Sequence, residues 1–160
     1  MKDRMDMAGQ LTLVLRDRSG AVVLERGQPN RIVAGGRRLV AEMFAGHTTG
    51  APRTPVSTIA VGTGSTAPTD ADTMLGAQRG DRIAITKVDY GTFTDPGSKV
   101  DRVRVQLSAL LDFTVANDPA TPLREAGLFN DANVLYSRVV FQPVTKTDTF
   151  QLTLIWEIVF

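Results

Sequence analysis

The chain has 160 residues, an ordinary 42% of them apolar and 22% charged, which suits one folded β-rich or mixed domain and excludes a disordered segment. Eighteen basic residues against 17 acidic ones leave a formal net charge of +1, so the composition offers no basic surface for a nucleic-acid partner. Cysteine is absent and histidine occurs once, at His47. Thiolate catalysis, disulfides and cysteine-bound zinc are thereby excluded, and histidine relays or histidine-rich metal sites find little support.

The start, Met1-Lys2-Asp3-Arg4-Met5-Asp6-Met7, is charged and lacks the apolar run of a secretory signal, and no stretch reaches the length of a membrane span. The expectation is synthesis in a cytoplasm, no membrane contact, and a loose arm over residues 1–9 ahead of one β-rich domain over residues 10–160. Leu11, Leu13 and Leu15 alternate in a predicted strand from Gln10 to Asp17. Arg18-Ser19-Gly20 reads as a turn and Ala21 to Glu25 as the returning strand of a hairpin. Asn30 is the candidate cap of the one convincing helix, whose apolar stripe is Ile32, Leu39, Val40, Met43 and Phe44, with Gly46 closing it. Gly35-Gly36 inside that pattern has two readings: the helix backbone approaches a sheet or a neighbouring subunit closely, or the first turn is irregular.

Val56 to Val61 reads as a short buried strand. Gly62 to Gly76 is a long polar connection with room for one helical turn near Asp70 to Leu75. The pattern from residue 82 onward is β. Asp95-Pro96-Gly97-Ser98 marks a turn, and Val103, Val105, Leu107, Ala109 and Leu111 form one face of the strand that follows. A hairpin is expected from Leu123 to Phe129 and Val134 to Phe141 around a turn at residues 130–133. A last strand then carries Leu152, Leu154, Trp156, Ile158 and Phe160 on one side. Irregular placement of one helix among antiparallel strands predicts an α+β, mainly β fold: an antiparallel β-sandwich with one main helix and an N-terminal hairpin.

Chemistry-bearing patterns are sparse. Gly62-Thr63-Gly64-Ser65-Thr66-Ala67-Pro68 follows a strand, but it lacks the third glycine of the dinucleotide fingerprint and the Gly-Lys-Ser/Thr of a P-loop, so it reads as a glycine turn at a sheet edge. Asp70, Asp72 and Asp81 lack the spacing and closing Glu of a calcium loop, and Asp70 reads more simply as a cap. Glu125 is the one candidate catalytic carboxylate. No partner acid is marked for glycoside hydrolysis, and an ion pair with an arginine is the plainer reading. His47 lies in a Gly/Thr loop with no acid or nucleophile marked nearby. The expectation is no enzyme activity, no cofactor and no metal.

The order of Ile59-Ala60-Val61-Gly62-Thr63-Gly64, Ala67-Pro68-Thr69, Leu123-Arg124-Glu125-Ala126-Gly127-Leu128-Phe129-Asn130 and Leu135-Tyr136-Ser137-Arg138-Val139-Val140 resembles the small N-terminal domain of bacteriophage tail-collar and tail-fibre proteins and related small tail proteins. The resemblance covers roughly residues 30–160. It implies a non-enzymatic virion part, made in the bacterial host, that docks at a baseplate or tail tip and associates with copies of itself as trimers or rings. The fibre pattern continues into a repetitive shaft and a receptor-binding tip, which are absent from this sequence, so a connector or adaptor fits better than a receptor binder. The alternative placement is a capsid decoration subunit; a carbohydrate-binding module or a glycan hydrolase fits less well. Two segments are the candidate interfaces: the loop at Gly62, Thr63, Gly64, Ser65, Thr66, Ala67 and Pro68, and the arm bearing Met1, Met5 and Met7.

Overall fold

A computed structural model describes residues 7–46 and 53–160. The elements in order are β1 (Ala8–Asp17), β2 (Val22–Pro29), β3 (Arg31–Ile32), α1 (Ala34–Ala45), β4 (Val56–Gly62), β5 (Ile83–Ala84), β6 (Lys87–Thr94), β7 (Asp101–Leu111), β8 (Leu123–Asn130), β9 (Leu135–Val144) and β10 (Phe150–Val159). They form two five-stranded sheets, ordered β2-β1-β10-β7-β6 and β3-β9-β8-β4-β5. Every strand pairing is antiparallel. The fold is the expected mainly β, α+β sandwich with one helix and an N-terminal hairpin.

Period-two alternation builds the interior. Leu11, Leu13 and Leu15 of β1, Leu107, Ala109 and Leu111 of β7, and Leu152, Leu154, Trp156 and Ile158 of β10 face inward from the first sheet. They meet Ile59, Val61, Leu123, Ala126, Leu128, Tyr136, Val139 and Phe141 of the second in one buried cluster. The β1–β2 turn is set by Asp17, whose Oδ1 accepts the Ser19 and Ala21 amides at 2.8 and 3.1 Å, while Gly20 takes the left-handed conformation at φ 85°.

The second sheet is also covered on its outer face. A smaller buried cluster of Val33, Ala60, Leu75, Phe129 and Leu135 lies there, which is why β8 is buried at nearly every position rather than at alternate ones. Val33, just ahead of α1, and Leu75 of the connection from residue 63 to 82 supply that cover, while α1 itself packs toward the space between the sheets through Val40. Gly36 makes the helix approach possible: a β-carbon there would lie 2.7 Å from the Tyr136 carbonyl carbon and 2.8 Å from its Cα. Of the two readings of Gly35-Gly36, close approach to a sheet is the one realised, and both glycines lie within regular helix.

Three local expectations are corrected. The helix starts at Ala34, not after Asn30, and its N-cap Val33 makes no side-chain cap bond. Arg31 and Ile32 pair instead with Arg138 and Ser137 of β9, because an open sheet edge competes with the local cap signal. The Asn30 side chain bonds to Ser137, and Ile32 belongs to the sandwich core rather than to a helical stripe. Phe44, read as part of that stripe, is 94% exposed. No helical turn forms between Asp70 and Leu75; the segment is a hydrogen-bonded turn at Thr69–Asp72 followed by irregular chain. Gly46 does close α1, at φ 62° with its amide on the Met43 carbonyl. The turn at Asp95 forms, with Oδ1 accepting the Gly97 and Ser98 amides.

The residues read as a loose arm divide. Ala8 and Gly9 are the first residues of β1, paired with Val159 and Ile158, and Met7 packs against the sandwich core. Residues 1–6, with Met1 and Met5, and residues 47–52, with His47, lie outside the described part.

Candidate functional site

Two places in the fold warrant a chemical reading: a buried charged cluster under the 63–82 loop and an open apolar end between the sheets.

Glu125 sits near the start of β8 with its side chain on the covered outer face, and no part of it reaches solvent. Its Oε1 accepts the backbone amides of Gly64 at 2.9 Å and Ala77 at 2.7 Å. Its Oε2 accepts the Gly76 amide at 3.0 Å and both Nε and Nη2 of Arg138 at 3.0 and 2.8 Å. Arg138, on the neighbouring strand β9, is itself buried and uses Nη1 to reach Asp72 Oδ2 at 2.8 Å. Asp72 in turn accepts the Thr69 amide and hydroxyl at 3.0 and 2.8 Å. The cluster is a staple: one carboxylate on a rigid strand gathers three amides from two distant points of a loop, and the arginine joins that loop's middle to the sheet.

The electrostatics follow from this count. Burial pushes the Glu125 carboxyl up, but the Ala77, Gly76 and Gly64 amides and the Arg138 guanidinium together outweigh it and hold the group below its ordinary value. Burial likewise opposes Asp72, and Thr69 and Arg138 overcome it. A general acid needs the opposite shift and a free proton path. Glu125 carries the reverse shift, and the ion pair with an arginine that its sequence context suggested is formed.

The glycine-rich segment acquires its meaning here. Gly62 and Gly64 do line an anion, but the anion is the chain's own. A β-carbon on Gly64 would lie 2.8 Å from Glu125 Cδ, and one on Gly62 would lie 2.7 Å from Oε1. Thr63 donates its amide to the Ala77 carbonyl at 2.9 Å. Of the seven residues proposed as an interface loop, Gly62, Thr63 and Gly64 therefore turn inward. Ser65, Thr66 and Ala67 are exposed and Pro68 is half-buried.

Asp70 and Asp72 are bound up with arginines, whereas no ion pair joins Asp81 to an arginine among the described residues. Asp70 meets Arg31 at 2.9 Å and Arg37 at 3.3 Å, and its carbonyl accepts the Ala34 amide at 3.0 Å. The loop thus caps α1 through its backbone, in place of the missing side-chain cap. Among the described residues, no group of three or more His, Asp or Glu side chains is placed to hold a metal ion.

Sequence reading missed Lys146, which is fully buried. Its Nζ donates to the Asp112 carbonyl at 2.8 Å, the Asn117 side-chain oxygen at 2.8 Å and the Thr147 carbonyl at 3.1 Å. Burial lowers its pKa, against the pull of Asp112 and Asp148. All three ammonium protons are engaged, so the group organises the 112–122 connection and offers no nucleophile. The only sequence signal was a lysine between two apolar strands.

At the other end of the sandwich the first sheet overhangs the second. Val88 and Tyr90 of β6 carry on the inward-facing row of β7 past the last covering strand, and they are 47% and 78% exposed. With Val105, Leu107, Ile158 and Phe160 they form one wall of a groove of about 360 Å³, whose other wall includes Leu39, Val40 and Met43 of α1. Tyr136 lies at its base; burial pushes its phenol up to about 12, and its hydroxyl meets Met7 Sδ at 3.9 Å. Among the described residues the lining is almost wholly apolar and holds no acid–base pair.

No family model, no curated protein and no solved structure matches this chain.

Proposed function

We propose that this chain is a structural virion protein of a phage or phage-like tail, an attachment or adaptor subunit at the baseplate or fibre base that works by assembling with its own copies and with other tail proteins. The observation that carries the reading is the convergence of the resembling segments. Gly62 and Gly64 from the first, Thr69 from the second, Glu125 from the third and Arg138 from the fourth all meet in the one buried staple. Residues spent on an internal lock serve the shape of the domain, and the work is left to its surfaces. The most reactive candidate, Glu125, has its acceptor positions filled by the chain itself, which favours assembly over glycan hydrolysis.

The test is localisation on particles. Gold-labelled antibody against the chain, applied to purified particles from producing cells, is expected to mark the tail at its baseplate end. Labelling of the shell would move the protein to the capsid-decoration reading, and particles that carry no label would overturn a virion role.

A further inference from the structure

The edges of the two sheets are not equally protected. β3 and β5 are two residues long. β2 ends in Pro29, carries a register shift opposite Leu15 and Arg16, and is tied to the second sheet by Arg26, which donates to the Gln142 carbonyl at 2.8 Å. These are the usual means by which an edge is kept from pairing with another chain. β6 has none of them. It is eight residues long, exposed at every position except Gly91, and free of proline and of register shifts against β7.

Its open side can be assigned. Phe160 donates its amide to the Val103 carbonyl, so the backbone groups of Val103, Val105 and Leu107 point to β10. Those of Arg102, Arg104 and Gln106 then point to β6, where they meet Phe93, Gly91 and Asp89. By the alternation of an antiparallel ladder, the N–H and C=O groups of Val88, Tyr90, Thr92 and Thr94 face outward, and among the described residues no strand lies beside them. The same residues form the inward-facing row, which is uncharged, and Val88 and Tyr90 are the apolar overhang of the groove.

We infer that β6 is a self-association edge, pairing antiparallel with β6 of a second copy across a two-fold axis at Tyr90. A two-fold perpendicular to the sheet keeps the inward rows of both copies on one side, so only residues of like parity stand opposite each other. Centring the axis on Tyr90 pairs Lys87 to Phe93, all of the eight-residue strand but Thr94, sets Tyr90 against Tyr90 and Val88 against Thr92, and lays Lys87 over Phe93. Centring it on Asp89 would oppose two carboxylates. With Tyr90 at the axis no like charges face each other, because Lys87 lies opposite Phe93 and Asp89 opposite Gly91, and the two apolar grooves open toward one another. This joining is isologous and closes at two copies. It rests on the assembly reading only for the premise that copies meet.

Light scattering on the eluting wild-type chain is expected to give close to twice 17.3 kDa. Thr92→Pro removes an outward N–H without touching the β7 ladder and is expected to give the single-chain mass, with Thr92→Ala keeping the dimer. Tyr90→Asp and Tyr90→Lys are each expected to be monomeric and to restore the dimer when mixed, because unlike charges then meet at the axis. A trimer or larger ring, a dimer that survives Thr92→Pro, or charge variants that fail to recombine would overturn the β6 assignment while leaving the tail reading to particle labelling. A wild-type chain that stays monomeric at millimolar concentration would also overturn it.

Discussion

Glu125 and Arg138 show how one residue pair can serve a loop twenty residues long. A buried ion pair is costly to desolvate, and it endures only where hydrogen bonds satisfy what the partner leaves open. Here three amides do so. Removing the negative charge leaves the buried guanidinium with Asp72 as its remaining counter-charge, so Glu125→Gln should lose about 3 kcal/mol at neutral pH in chemical denaturation. The acid limb gives a second readout. The Glu125 carboxyl titrates below its ordinary value when folded, so its contribution is complete above the unfolded pKa of about 4.3 and is lost as pH falls through the folded value. Asp72 acts in the same direction. Wild-type stability should therefore fall more steeply below pH 4.3 than that of Glu125→Gln, measured as denaturation midpoint against pH; parallel acid limbs would mean that the staple does not carry the charge assigned to it.

At the scale of elements, the contest between helix α1 and sheet edge β3 decides where the helix begins, and two glycines decide how near it lies. Alanine at a helix interior normally gains about 1 kcal/mol over glycine. At Gly35 the nearest atom to a new β-carbon is the Leu135 carbonyl oxygen at 3.4 Å, so Gly35→Ala should keep much of that gain. At Gly36 the new carbon meets the Tyr136 backbone, which cannot swing aside; Gly36→Ala should reverse the sign and destabilise by about 2 kcal/mol. Thermal melting of the two variants side by side checks the difference.

Much of this level was readable beforehand. Strands β7 and β10 alternate so regularly that their inner rows follow from the residues alone, and the glycine pair offered a tight approach as one of its two readings. The helix start was not readable, because Asn30 is a good local cap and only the three-dimensional edge of β9 outbids it. The staple was half readable: a lone glutamate in an apolar hairpin strand suggested an arginine partner. That partner stands thirteen residues away on the adjacent strand, and Asp72 comes from a loop with no periodicity to betray it.

For the whole molecule, the decisive fact is that the first and last strands are neighbours. β10 lies between β1 and β7 at the centre of its sheet, and its register with β1 runs from Ala8 opposite Val159 to Asp17 opposite Phe150. The sole tryptophan, Trp156, stands in that strand with its side chain fully enclosed. Its emission should shift to the red on unfolding in step with the far-ultraviolet circular dichroism signal, since one core joins both sheets. A tryptophan transition that precedes the loss of strand signal would mean that the first sheet opens while the second persists.

The central position of β10 also bears on biosynthesis. A ribosome exposes β1 roughly 140 residues before the segment that must lie beside it, and such distant pairings are slow to form. Until Phe150–Val159 has left the exit tunnel, β1 and β7 each lack a neighbour, and the nascent polypeptide presents two apolar strand rims to its surroundings. A chaperone that shields such rims would have its whole working interval between the translation of β1 and the emergence of β10.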